Sequence, residues 1–520
     1  MARWVDVRAN CADRLRPTCT WLMTGMLCLL IDVRPASAQC IRVEDQKLLA
    51  PDAAPGDWFG QSLDLDGPVA IVGAYREDEL GDGAGAAYIY RHDGSQWTHE
   101  QKLNASDPAA GDVFGYSVAI EGDVAVVGAI FDDDLGPESG SADVFRHDGT
   151  SWVLEQKLLA SDGFINDRFG RAVDVVGDRI FVSGYRNDSA GADSGAVYVF
   201  DFDGSLWTER QKLTAADAQP GDLFGVALES DGTRLIVGAY FADVAAVDDG
   251  AAYVFAFDGA SWVEEQKLVP GDGETDDRFG ETVSLDGDVA IVGSYHDDDL
   301  GDQSGSAYLY RRGAGWTLEQ KLLASDGAAG DEFGWSVSVQ GSLLVVSAYE
   351  DEHEGVGEDS GSAYVFRNDG MSFVEVEKLV ASDAAADDLF ATWVAVDGDR
   401  VLMGSVFDDD SGENSGSVYF YRIPELALRV DPDTAAEGAW VTIETSPGLP
   451  FAPALIAIVA INGNPRFRVV AAGLFSPTCQ FGLQGPVPPG LSGIDIDLQS
   501  FGFSRLQRVA ASNVESLALQ

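Results

Sequence analysis

The sequence predicts an all-β fold: a seven-bladed β-propeller with four-stranded blades, its N-terminal strand closing the last blade, followed by a small β-sandwich. Three observations predict it. A Phe-Gly step returns at a near-constant interval, four strand-like segments fill each interval, and the ending of the outer strand is displaced by one place in the repeat. The step stands at Phe59, Phe114, Phe169, Phe224, Phe279 and Phe333, with a worn copy at Phe390-Ala391. The interval is 55 residues four times, then 54, then 57. A period of this length with Gly-marked turns belongs to architectures in which each unit buries its apolar face against the next.

Residues 1–38 read as a secretory signal. Arg3, Arg8, Arg14 and Arg16 form a positive leader, Trp21 to Ile31 an apolar run, and Ala36-Ser37-Ala38 a small-residue site with cleavage expected before Gln39. The run falls short of the roughly 20 apolar residues that span a bilayer, as does every later stretch. The mature chain is therefore expected to be exported, and to be secreted or held at the cell surface or in the periplasm. Cys40 and Cys479 are the cysteines left beyond the leader, enough for one disulfide and too few for a cysteine zinc site. A lipid anchor on Cys40 competes with that bond, although Gln39 separates it from the small residues, and a pair of unbonded thiols is the third alternative.

Lys and Arg number 33 against 86 Asp and Glu, a net charge of −53. Such a chain lacks the concentrated cations that nucleic-acid phosphates require. Acidity alone also serves solubility in a salty habitat. Disorder is excluded, because 46% of the residues are apolar and recur periodically.

Within each unit the Phe-Gly step opens an alternating strand such as Tyr116 to Ile120, half-buried by its period. A tight turn (Glu121-Gly122-Asp123, Asp286-Gly287-Asp288) leads into a nearly continuous apolar strand, Val69 to Tyr75, whose composition implies cover on both faces. After an acidic loop come a third strand, as in Ala307 to Tyr310, a Gly turn, and an outer strand anchored by Trp97, Trp152, Trp207, Trp262, Trp316 or Phe373. The Gln-Lys-Leu ending of that strand appears at Leu48, Leu103, Leu158, Leu213, Leu268 and Leu322, and as Glu377-Lys378-Leu379. Its first copy precedes the first Phe-Gly unit, and the seventh unit has none after it. Register thus predicts that Ile41 to Leu49 completes the last blade, which removes the free edges of an open array.

The Phe-Gly step, the Gly-Ala-Tyr about 14 residues later and the Gly-Ser-Ala-Tyr strand resemble FG-GAP repeats, over residues 39–422. The resemblance implies a propeller like that of integrin alpha subunits and of many exported bacterial proteins, serving adhesion and recognition. It also brings calcium as the candidate cofactor. The calcium loops of that family lie between first and second strands, and here that connection has shrunk to turns such as Asp66-Gly67, too small for a cation needing 6–8 oxygens.

The acid stands elsewhere. Strand direction puts the second-to-third loops and the inter-blade loops on one face. The former carry Asp132, Asp133 and Asp134; Asp297, Asp298, Asp299 and Asp302; and Asp408, Asp409 and Asp410, the candidate calcium ligands. The latter carry an Asp pair in every copy, from Asp52 and Asp57 to Asp383 and Asp388. Asp in such loops also caps backbone N–H groups, which explains the Asp two residues before each Phe without a ligand.

The sixth and seventh blades break the repeat, so Trp335, Glu350, Asp351 and Trp393 are the candidate partner-binding residues, with aromatic rings among carboxylates that suit a sugar. Signs of an enzyme are poor: His92, His99, His147, His296 and His353 are scattered, with no HExxH spacing and no GxSxG elbow. The expected function is recognition or adhesion through the acidic face, binding a protein or glycan. A structural cell-envelope component and a polysaccharide-active enzyme are the alternatives.

From residue 423 the period stops, and residues 423–520 read as short strands between Pro and Gly turns, a small β-sandwich. Through PVPPGLSGIDIDLQS and Ser512-Asn513 it is similar to sandwiches that follow repeat domains in exported planctomycete proteins. A Cys40–Cys479 bond would clamp it to the ring.

Overall fold

The computed structural model describes residues 42–423 with their side chains, apart from 353–355 and 369, and beyond 423 the courses of strands alone. The leader, Cys40 and Cys479 lie outside the described residues.

Seven four-stranded antiparallel sheets follow one another. In the first, the strands from axis to rim are Ser62–Asp66, Val69–Ala74, Ala86–His92 and Trp97–Leu103. The seventh is built from Phe390–Asp397, Arg400–Ser405 and Ser417–Arg422, and its rim strand is Gln46–Leu48, with Lys47 opposite Tyr419. The displaced N-terminal strand therefore closes the ring as register requires. No helix occurs among the described residues, and none is long and apolar enough to cross a membrane.

The blades stack because each second strand is buried on both faces, as Val69–Ala74 is throughout. Five of the outer strands bury only their ends, as in Trp97–Leu103, whose first and last residues are covered. Each Phe of the Phe-Gly step meets the third-strand Tyr of its own blade edge to face, with ring centres 5.5 Å apart for Phe59–Tyr88 and 5.2 Å for Phe390–Tyr419. In the second blade that Tyr is replaced by the buried Asp143, which accepts the Ser106 N–H at 2.7 Å. Neighbouring blades also bridge through backbone, Gly85 to Phe114 and so on round to Gly416 and Phe59. Gly85 sits at φ 82°, and a Cβ there would strike the Phe114 backbone, so only Gly permits this approach. The seventh blade keeps the left-handed turn of its Phe-Gly step with Ala391 at φ 67°.

At the axis the inner strands are strung together by side chains. The carboxylates of Asp64 and Asp174 accept the N–H groups of Ile120 and Ser230 in the next blade, and the hydroxyls of Ser284 and Ser338 accept those of Val339 and Val396. Beyond residue 423, strands between Leu428 and Leu519 pair into a three-stranded and a five-stranded sheet.

Candidate functional site

The acidic loops do gather on one face, and at their centre stands a residue type that the loop sequences do not contain. In the second blade, Lys157 Nζ of the Gln-Lys-Leu ending lies 2.6 Å from Asp107, 2.6 Å from Asp132 and 2.7 Å from Asp134. Lys47 holds Asp383, Asp408 and Asp410 at 2.8, 2.6 and 2.7 Å, and Lys321 holds Asp272, Asp297 and Asp299 at 3.0, 2.7 and 2.8 Å. In the first blade Lys102 holds Asp52, Glu77 and Glu79. Each lysine thus ties the rim strand to the inter-blade loop and to the second-to-third loop. Outside the second blade, the third-strand Tyr forms one wall, with Lys47 Nζ 5.0 Å from the Tyr419 ring centre.

The three residues of each Asp triplet differ. The first and third face the lysine. The middle one turns away to cap a backbone N–H five residues on: Asp133 to Glu138, Asp298 to Gln303 and Asp409 to Asn414, at 2.7–2.8 Å. Asp302 is exposed. The second Asp of each inter-blade pair accepts an N–H three residues back, from Ala54 to Asp57 through Ala385 to Asp388. That is the capping role expected of it.

Burial works to lower the Lys157 pKa, but hydrogen bonds to Asp107, Asp132 and Asp134 outweigh it and hold the ammonium above the ordinary lysine range. The same bond holds Asp107 below the ordinary carboxylate range. A groove of about 180 Å³ lies over the fifth-blade cluster, lined by Asp272, Glu274, Asp277, Asp297, Asp298, Asp299 and Lys321.

A second constellation breaks the repeat near the axis. Two residues that follow Phe-Gly steps meet there: Arg171 and Glu281, from the third and fifth blades, lie 3.2 Å apart. In the sixth blade the residue after the step is Trp335. Its ring lies 4.4 Å from Tyr349 and 4.9 Å from Tyr295, centre to centre. Glu332, one turn earlier, is buried, and its Oε1 lies 3.8 Å from His296 Nε2. Burial first, and then the Glu332 and Glu350 charges, hold the Tyr349 hydroxyl above the ordinary tyrosine range. Burial first, and then the Glu350 charge, push the Glu332 carboxyl up to about 7. Glu332 Oε2 and Trp335 Nε1 are buried without a hydrogen-bond partner.

Of the sequence candidates, Trp335 and Glu350 therefore come together. Asp351 belongs to a lysine cluster, bonded to Lys378, Ser362 and Tyr364. Trp393 packs at the seam between the seventh and first blades. Sequence reasoning missed the lysines, whose signal was their recurrence in all seven Gln-Lys-Leu or Glu-Lys-Leu endings.

The model of the FG-GAP repeat family matches residues 43–90, 97–145, 152–200, 207–255, 262–310, 316–366 and 373–421. The chain belongs to the FG-GAP repeat family. The metal chemistry the family implies fits this propeller poorly at the first-to-second turns. Their acids are already committed to the next blade, Asp66 accepting the Gly122 N–H at 2.7 Å and Glu121 that of Gly177. Among the described residues, the carboxylates with cation-cage spacing, within 4.8 Å of one another, are Asp52, Glu77 and Glu79; Asp107, Asp132 and Asp134; and Asp383, Asp408 and Asp410. Each of these groups encloses a lysine ammonium.

Proposed function

We propose that this FG-GAP protein is an exported, non-catalytic recognition or adhesion module that meets a protein or glycan partner through its acidic loop face, where the fifth and sixth blades join. The family supports recognition as the class of activity, and the charged leader with its apolar run supports export. The observation that carries the site is the pair of unpartnered buried atoms, Glu332 Oε2 and Trp335 Nε1, beside the Trp335–Tyr349 aromatic surface. One is an acceptor and the other a donor. A hydroxyl group satisfies both, whereas an ammonium satisfies the carboxyl alone and leaves the indole N–H unpaired. A sugar supplies hydroxyls together with an apolar face for the rings.

The test is a glycan array probed with the full chain and with Trp335→Ala. Binding that the substitution abolishes, with an unchanged thermal transition, supports the glycan reading. Equal binding by both proteins moves the site away from Trp335, and silence on every glycan leaves a protein partner.

The Glu332 and Glu350 carboxyls, both pushed up by burial, favour one second reading, a polysaccharide-active enzyme. Release of reducing ends from a polysaccharide by the wild type, lost in Glu332→Gln, would establish it.

A further inference from the structure

We infer that the seven lysines of the rim strands are this propeller's own cations: an internal ammonium occupies each place where a divalent ion would otherwise join the acidic loops, and the face is built without calcium. The inference concerns how the face is held together and stands whatever partner it meets.

Geometry carries it first. In the first, second and seventh blades three carboxylates converge to cage spacing, and Lys102, Lys157 and Lys47 lie 2.6–2.9 Å from every member. Nothing else positive can enter without expelling the lysine. The central carboxylates Glu77, Asp132 and Asp408 are buried, so expulsion exchanges short charge-assisted bonds for a long solvated side chain.

The irregular blades carry it second. In the third blade Asn187 and Ser189 stand where Asp132 and Asp134 stand in the second, yet Lys212 remains and binds Asp162 at 2.8 Å, Asn187 at 2.8 Å and Ser189. In the fourth blade the same places hold Ala242 and Val244. Lys267 still holds Asp217 at 2.9 Å, and the loop is tied instead by Asp249, which accepts the N–H groups of Val244, Ala245 and Ala246. A cage that served a metal would be useless after such losses. The lysine and the first Asp of its inter-blade pair are the fixed members, and the acids of the second-to-third loop vary around them.

Calorimetric titration and thermal melting of the purified full chain test this, with chelator or with millimolar calcium, alongside Lys157→Met and Lys267→Met. The expected wild type shows no saturable heat and the same Tm in both conditions. Lys157→Met, which leaves Asp107, Asp132 and Asp134 facing one another, is expected to melt lower than wild type in chelator. Calcium then recovers part of the loss, and sodium chloride of equal ionic strength does not. Lys267→Met, with its single carboxylate partner, melts closer to wild type and gains no response to calcium. A wild type that takes up calcium with a rise in Tm overturns the inference, as does a Lys157→Met protein as stable in chelator as the wild type. Should Lys157→Met not fold, the wild-type titration and the Lys267→Met melt still decide.

Discussion

Asp132, Asp133 and Asp134 are adjacent carboxylates with different surroundings: the first and third face Lys157, and the second caps the Glu138 N–H. Residue type alone did not separate them, because a ligand and a cap draw on the same acid. The capping Asp before each Phe was legible, since its partner is three residues away in the same turn. The lysine centre was not. Lys157 reaches Asp132 and Asp107 across 25 and 50 residues of sequence, from a strand whose middle shows no apolar pattern. The two kinds of carboxyl oppose each other in pH dependence. Asp107, held low by its lysine, contributes stability above its ordinary range that is lost as pH falls through its depressed value. At the axis, burial pushes Asp64, Asp174 and Glu229 up to about 6, 7 and 8, with the Asp64 charge adding to the rise of Asp174 and the Asp174 charge to that of Glu229. A raised carboxyl stabilises fully below its unfolded pKa, and that contribution is lost as pH rises through the folded value. Tm should therefore fall as pH climbs from the ordinary carboxylate range to about 8, and Glu229→Gln should flatten that limb in a series of thermal melts. A Glu229→Gln profile with the wild-type slope would remove Glu229 from the account.

Strands were the most legible elements. The unbroken burial of Val69–Ala74 follows from its unbroken apolar run, and the closing strand follows from counting Gln-Lys-Leu endings. What the count could not give was the job of the Gln. Gln101 Nε2 donates to the Trp152 carbonyl at 2.7 Å, and Gln101 Oε1 accepts the Trp152 N–H at 2.8 Å, clasping each rim strand to the next. The clasp recurs from Gln46–Trp97 to Gln266–Trp316. At the last junction the Gln is Glu377, and Arg42 Nε meets it at 2.9 Å. Gln101→Ala should cost about 2 kcal/mol in denaturant unfolding, since it leaves two backbone groups of Trp152 short of their partners. A loss within the scatter of surface substitutions would show that solvent replaces the clasp.

At the scale of the whole molecule, seven sheets make one ring because no blade covers both of its own faces. Gln46–Leu48 is the strand that the ring cannot spare. Removing residues up to Leu49 would strip the seventh blade of its rim strand, take Lys47 from Asp383, Asp408 and Asp410, and free an edge. That truncation is expected to aggregate on light scattering under conditions where the full chain is monodisperse, and a monodisperse, fully folded truncation would contradict closure by this strand. The ring and the gathering of acid on one face were legible because both follow from period and strand direction. The Trp335 site was legible only as an interruption, since Tyr295 and His296 come from a different blade than Tyr349 and Glu332. The central claim, that the acidic face carries its own cations, is tested most directly by anomalous diffraction from crystals of the full chain grown in calcium. The account predicts lysine density and no anomalous peak among Asp107, Asp132 and Asp134 or their counterparts; a calcium peak there, with Lys157 swung into solvent, would contradict it.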